Sequence, residues 1–156
     1  MARRYSVIFE GVAVTAAQDF FYIAPADDRP VRLVSLFLSQ SSDYGDAAAE
    51  GLRIKVIRGH ATVGSGGSAF TPTPNSANDV AAGFTARIND TTIASAGTAV
   101  DVHADAFNIQ AGIGINLEGH DIRCSQATGV TLVVRLMAAP SDSLTMSGTL
   151  VVEELI

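Results

Sequence analysis

The chain has 156 residues, 47% of them apolar, with a formal charge of −6 and one cysteine. That length gives one domain, 1–156, with a sizeable core, and the apolar content excludes a disordered chain. The lone Cys124 excludes an intrachain disulfide, and the acidic balance, with Lys55 the only lysine, argues against a nucleic-acid surface.

Met1-Ala-Arg-Arg has the charge of a signal n-region, but Glu10 interrupts the apolar run that follows. No segment approaches the ~20 apolar residues of a membrane helix. Tyr5–Phe9 alternates, with Tyr5, Val7 and Phe9 on one face; Gly11 breaks it and Val12–Ala16 continues briefly. Gln18–Ala24 reads as a strand carrying Phe20-Phe21-Tyr22, and Pro25 and Pro30 bracket a turn. Val31–Gln40 is apolar on both faces, with Val31, Leu33 and Phe37 on one and Val34, Leu36 and Leu38 on the other, which predicts a strand covered on both sides. Ser41–Gly51 is an acidic loop with one helical turn expected at Asp46–Glu50. Leu52–Arg58 alternates, Ile57 excepted.

Gly59–Asp79, rich in Gly, Ser and Pro, predicts a long irregular loop, of the kind that is functional or flexible. Ala82–Ile88 alternates cleanly. Val100–Ala106 puts Asp101, His103 and Asp105 on a polar face, after which the phase slips to Phe107, Ile109 and Ala111, the mark of a bulge. Gly112–Glu118 alternates, Gly119-His120 turns, and Val130–Ala138 with Thr145–Glu153 reads as a hairpin with a longer loop. Many short strands with regular turn signals predict an all-β fold: an antiparallel β-sandwich, jelly-roll-like, with long loops. Leu33, Leu36, Phe37, Leu38, Ile54, Val56, Phe84, Ile113, Ile115, Leu132, Val134 and Leu136 are its expected core.

No cluster carries a recognisable chemistry. Asp101-x-His103-x-Asp105 offers metal-ligand types on one strand, but a solvated face is the simpler reading. His120, Asp121 and Cys124 match no zinc spacing. Asp27, Asp28, Asp43, Asp46 and Glu50 do not form the alternating calcium loop. Gly64–Ser68 lacks the Lys-Ser/Thr ending of a phosphate loop and reads as flexible. No catalytic residue, cofactor or metal site is assigned, and the chain is read as a non-enzyme.

Gln40–Gly59, with the Gly/Ser/Pro-rich loop after it and the lysine-poor, Ala/Thr/Gly-rich character of the chain, resembles small structural proteins of tailed bacteriophage virions. The resemblance implies a capsid decoration (cement) protein that binds the major capsid protein as a symmetric homo-oligomer, a trimer, in virions assembled in the host cytoplasm. A tail or head–tail connector component is the alternative within that class; a carbohydrate- or ligand-binding sandwich is the alternative outside it. Membrane and nucleic-acid partners are not expected. Arg3, Arg4, Tyr44 and Phe70 are the candidate inter-subunit contacts: the arginines to dock on an acidic neighbour, the two aromatics exposed on loops. The end strands Tyr5–Phe9 and Thr145–Glu153 are expected at sheet edges, open to pairing with another copy.

Overall fold

A computed structural model describes residues 2–45, 50–125 and 130–156. The strands are β1 (Ala2–Val14), β2 (Gln18–Ala24), β3 (Val31–Gln40), β4 (Gly51–Arg58), β5 (Ser68–Phe70), β6 (Thr73–Pro74), β7 (Thr85–Asp90), β8 (Val100–Asn108), β9 (Ile113–Asn116), β10 (Arg123–Cys124), β11 (Leu132–Leu136) and β12 (Leu144–Leu155). They form two antiparallel sheets. Sheet A runs β10-β3-β12-β1-β6, with β9 also on β3; sheet B runs β5-β7-β2-β11-β4-β8. One set of pairings is nested, β1 with β12, β2 with β11, β3 with β9 and β4 with β8, alongside the long β3–β12 ladder.

The result is a β-sandwich whose inner faces interdigitate. Tyr5, Val7 and Phe9 of β1 point inward as their alternation requires. Phe9 stacks on Phe20 at 5.6 Å between ring centres and meets Phe21 at 5.4 Å, while Tyr5 meets Phe84 edge-on at 5.6 Å. Gly11 does not end β1: at φ +63° it forms a bulge between Phe9 and Val12 and the ladder resumes.

The apolar run of β3 has a different cause from the one its sequence predicts. Val151 pairs with Ser35 and Val152 with Leu33, so Val34 is the extra residue of a bulge. The phase shifts there. Val31 and Leu33 face inward before it and Leu36 and Leu38 after it, all buried, while Phe37 turns to the outer face and is 52% exposed. Phe37 is therefore not a core residue. Ile113 and Ile115 point inward but are only half-buried, because β9 is an edge strand.

Three further expectations are corrected. β11 and β12 are not a hairpin: they lie in different sheets. β12 sits between β3 and β1 and is not an edge; β6 covers β1 at Arg4–Ser6, whereas among the described residues Val7–Phe9 pair with β12 alone and stay at the edge as expected. The Gly59–Asp79 stretch is not structureless. It contains β5 and β6, and Thr62 and Ser65 bridge to Ser95 and Thr92. The helical turn expected at Asp46–Glu50 lies almost wholly outside the described residues.

Candidate functional site

The outer face of sheet B is roofed. The segments around Thr62–Ser65 and Thr92–Ser95 run antiparallel and lie over β2 and β11, where Ala94, Tyr22 and Val133 form a second small apolar cluster. A charged pair pins this roof. Asp19 and Arg135 are cross-strand neighbours, and Arg135 Nε donates to Asp19 Oδ1 at 2.6 Å. Ala94 N–H donates to Asp19 Oδ2 at 2.7 Å, and Arg135 Nη2 donates to the Ala94 carbonyl at 2.9 Å. Both side chains are buried, so each charge needs the other and both need the loop backbone.

A second clasp holds Gly64–Ser68. Gly67 N–H donates to Asp90 Oδ1 at 3.1 Å, and Asp90 takes Arg87 in a bidentate pair, with Nη2 at 2.7 Å. A Cβ on Gly67 would lie 2.0 Å from the Ile88 carbonyl oxygen, and one on Gly64 2.3 Å from that of Thr92. These glycines permit close backbone approach; the stretch read as flexible is packed onto β7 and its following turn.

The outer face of sheet A is open and divides in two along the strands. At one end Glu153 lies between Arg4 and Arg32. Arg4 Nε donates to it at 3.2 Å, and Arg32 Nη2 donates to its other oxygen. Glu118 accepts from Arg4 Nη2 at 2.8 Å. Burial by itself would raise the Glu153 carboxyl, but the hydrogen bonds from Arg32 and Arg4 outweigh it and hold it below the usual carboxylate range. At the other end Ile8, Thr149, Phe37 and Gly114 form one cross-strand row. Ile8 is 45% exposed, and Phe37 lies across Gly114, whose Cβ position is 3.0 Å from the ring. They line an open groove of about 610 Å³ with Glu10, Ser39, Gly112 and Ser147.

The four residues singled out in the sequence are not brought together. Arg3 faces Asp79 at 3.7 Å, and Arg4 is engaged by Glu153 and Glu118. Both arginines are thus committed within the chain. Tyr44 is 68% exposed and its hydroxyl donates to the Gln40 carbonyl. Arg4 stands level with Glu153 of β12 and Gln40 with Met146, so about 24 Å of strand separates their levels. Phe70 is on β5, in the other sheet, half-buried against the core. Phe37 is read in the sequence as core, and Ile8, Asp19 and Arg135 are not marked there. The last two carried a signal: opposite charges set within otherwise apolar strands.

The ligand-type clusters also resolve. The Val102 bulge splits Asp101 from His103 and Asp105: Asp101 pairs outward with Lys55 at 2.6 Å, while His103 turns inward to face His120, ring centres 5.4 Å apart. Asp121 accepts from Arg123, and Glu50 takes the Ser141 N–H and hydroxyl. Cys124 is buried, and burial, only partly offset by Arg58, pushes its thiol up to about 12, far from a reactive thiolate. Asp46 lies outside the described residues. Among the described residues no group of three His, Cys, Asp or Glu side chains converges to hold a metal ion, and no helix is long and apolar enough to cross a membrane.

No family model matches the chain, and no curated protein matches it. Among solved structures it has a faint likeness to viral shells. One is a T=1 particle derived from infectious bursal virus, at 15% identity and a TM-score of 0.17. Another is the T13 IBDV viral particle, at 18% identity and a TM-score of 0.16. Each alignment spans 99% of this chain but only 40% and 39% of those chains. Likeness at this level carries no argument about function.

Proposed function

We propose that the protein is a structural component of a virion, a decoration protein that binds the major capsid protein in many symmetric copies. The observation that carries this reading is the nested pairing of β1–β12, β2–β11, β3–β9 and β4–β8 across two sheets. Nested pairing of this kind supports a jelly-roll reading, and jelly rolls recur in capsid and lectin domains. The division of the surface supports it. The loops over sheet B are tied down by Asp19, Arg135 and Asp90, whereas sheet A offers a bare apolar row, Ile8 and Phe37, as the face to press against a shell. Recombinant protein should bind preformed heads lacking decoration and raise their resistance to heat, and Phe37→Asp with Ile8→Asp should abolish binding while leaving the fold intact. Undiminished binding by the double variant would remove sheet A from the contact; no binding by the unaltered protein would remove the reading.

A second reading is favoured by Phe37 itself. An exposed aromatic in an open groove beside Ser39, Ser147 and Thr149 also suits a sugar ring. A glycan array with the unaltered protein and Phe37→Ala separates the two: Phe37-dependent glycan binding supports the lectin-like module.

A further inference from the structure

We propose that the free edge of β8 pairs with β8 of a second copy about a two-fold axis through Ala104, joining two B sheets into one. This goes beyond the virion reading and does not depend on it. β8 is the outermost strand of sheet B and, among the described residues, pairs only with β4. Its backbone therefore presents unpaired N–H and C=O groups along the other side, a template for another strand.

Register is what selects the partner. In one continuous sheet, paired residues face the same side, so a two-fold axis falls on a residue and not between two. Centring on His103 sets Asp101 against Asp105 and places the Val102 bulge beside the axis. Centring on Asp105 opposes two carboxylates. Centring on Ala106 puts Asp105 opposite Phe107. Centring on Ala104 sets His103 opposite Asp105 of the second copy, twice by symmetry, with the small Ala104 at the axis.

The side chains are placed for that exchange. His103 and Asp105 stand on the inner side of the sheet, opposite Val56 and Ile54, while Ala104 and Ala106 point outward. Within its own chain His103 Nε2 is buried and has no hydrogen-bond partner. The Asp105 carboxylate beside it is 3.7 Å away, beyond hydrogen-bond reach. Nε2 lies within the fold, so the exchange requires the His103 ring to turn toward the strand edge, where Asp105 of a second copy, directly across the ladder, offers it an acceptor. The bulge at Val102 limits the regular ladder to His103–Asp105 on each strand, so the contact is self-limiting and not a seed for extended aggregation.

The test uses the full chain. Sedimentation velocity over a range of concentrations should show a reversible dimer, which Ala104→Pro converts to monomer. Because Ala104→Pro can disturb β8 itself, disulfide trapping is the second measurement. Under mild oxidation Ala104→Cys should cross-link to a dimer at least ten-fold faster than Ala106→Cys, since only position 104 meets itself across the axis; the buried Cys124 serves as the silent background. A monomer at all concentrations, a trimer, or equal cross-linking at positions 104 and 106 would overturn the proposal. A trimer would still suit a decoration protein, and failure of head binding would leave a β8 dimer standing, so the two readings fail separately.

Discussion

The outer face of sheet B is roofed by the Thr92–Ser95 segment and cross-linked to it through Asp19 and Arg135, whereas that of sheet A shows Ile8 and Phe37 to solvent. The difference is written in their strands. β2 and β11 bury nearly every residue, on both faces, because each has a sheet on one side and a roof on the other. β3 also carries a long apolar run, yet its outer residues Arg32, Phe37 and Ser39 are part-exposed or exposed. Two apolar runs thus mean two things: double coverage in β11, and a change of phase in β3. A surface covered by its own chain is a surface withheld from partners; the bare one is where contact is available.

The sharpest way to break the comparison is to remove the clasp. Asp19→Ala leaves Arg135 charged, buried and unpaired, and frees the Ala94 N–H. A loss of about 3–5 kcal/mol is expected, as for other broken buried pairs, read as a fall in melting temperature of roughly 10 °C or more for a domain of this size. A loss under about 1 kcal/mol would mean the roof is held by other contacts.

Neighbouring residues of β3 give the next largest effect. Leu36→Ala empties a core position and should cost about 2–5 kcal/mol. Phe37→Ala, next to it but on the open face, should cost about 1 kcal/mol, since roughly half the ring stays in water in the folded state. Equal losses in chemical denaturation would put the bulge in the wrong place.

That pair of residues also shows what the sequence can and cannot specify. The strands themselves were legible. Gln18–Ala24 is β2 to the residue, and Val7, Phe9, Leu52, Ile54, Leu132 and Val134 point inward as simple alternation requires. Alternation counts residues, and a bulge adds one that the count cannot see. Hence alternation places Phe37 inside and the slip in β8 after Ala106, whereas the extra residues are Val34 and Val102. Sheet membership was also out of reach. β11 and β12 are close in sequence with a turn between them, and nothing local tells a hairpin from a crossover between layers. Of the candidate contact residues, Arg3 and Arg4 looked free because their carboxylates, Asp79, Glu118 and Glu153, lie 76 or more positions away.

The glycines of the roof sharpen the contrast at lower cost. Gly67→Ala places a methyl against the Ile88 carbonyl, which only a backbone shift can relieve, for about 1–3 kcal/mol. Gly119→Ala, in the 3-10 turn Glu118–His120 beside sheet A with nothing within 4 Å of its Cβ position, should stay within about 0.5 kcal/mol. Thermal melts of the two variants make the comparison, and similar values would remove the argument that close approach is why glycine stands at 67.

The smallest effect concerns the charged end of sheet A's open face. Glu153 is held below the ordinary carboxylate range in the folded chain by Arg32 and Arg4, against the opposing pull of its burial. A carboxyl with a depressed folded value binds its proton more weakly folded than unfolded. Its contribution to stability is therefore complete above the unfolded value of about 4.3 and is lost as pH falls through the lower folded value. Glu153→Gln keeps the shape and removes the charge. The unaltered protein should melt a few degrees above this variant at pH 7, and the gap should close progressively below about pH 4.5 as Glu153 takes up its proton. Salt should narrow the gap at pH 7 as well, because Arg4 reaches solvent and its share of the attraction is screened. A gap that stays constant from pH 7 to pH 3 would mean that Glu153 acts by packing alone, and that the two ends of this face differ less in chemistry than their residues imply.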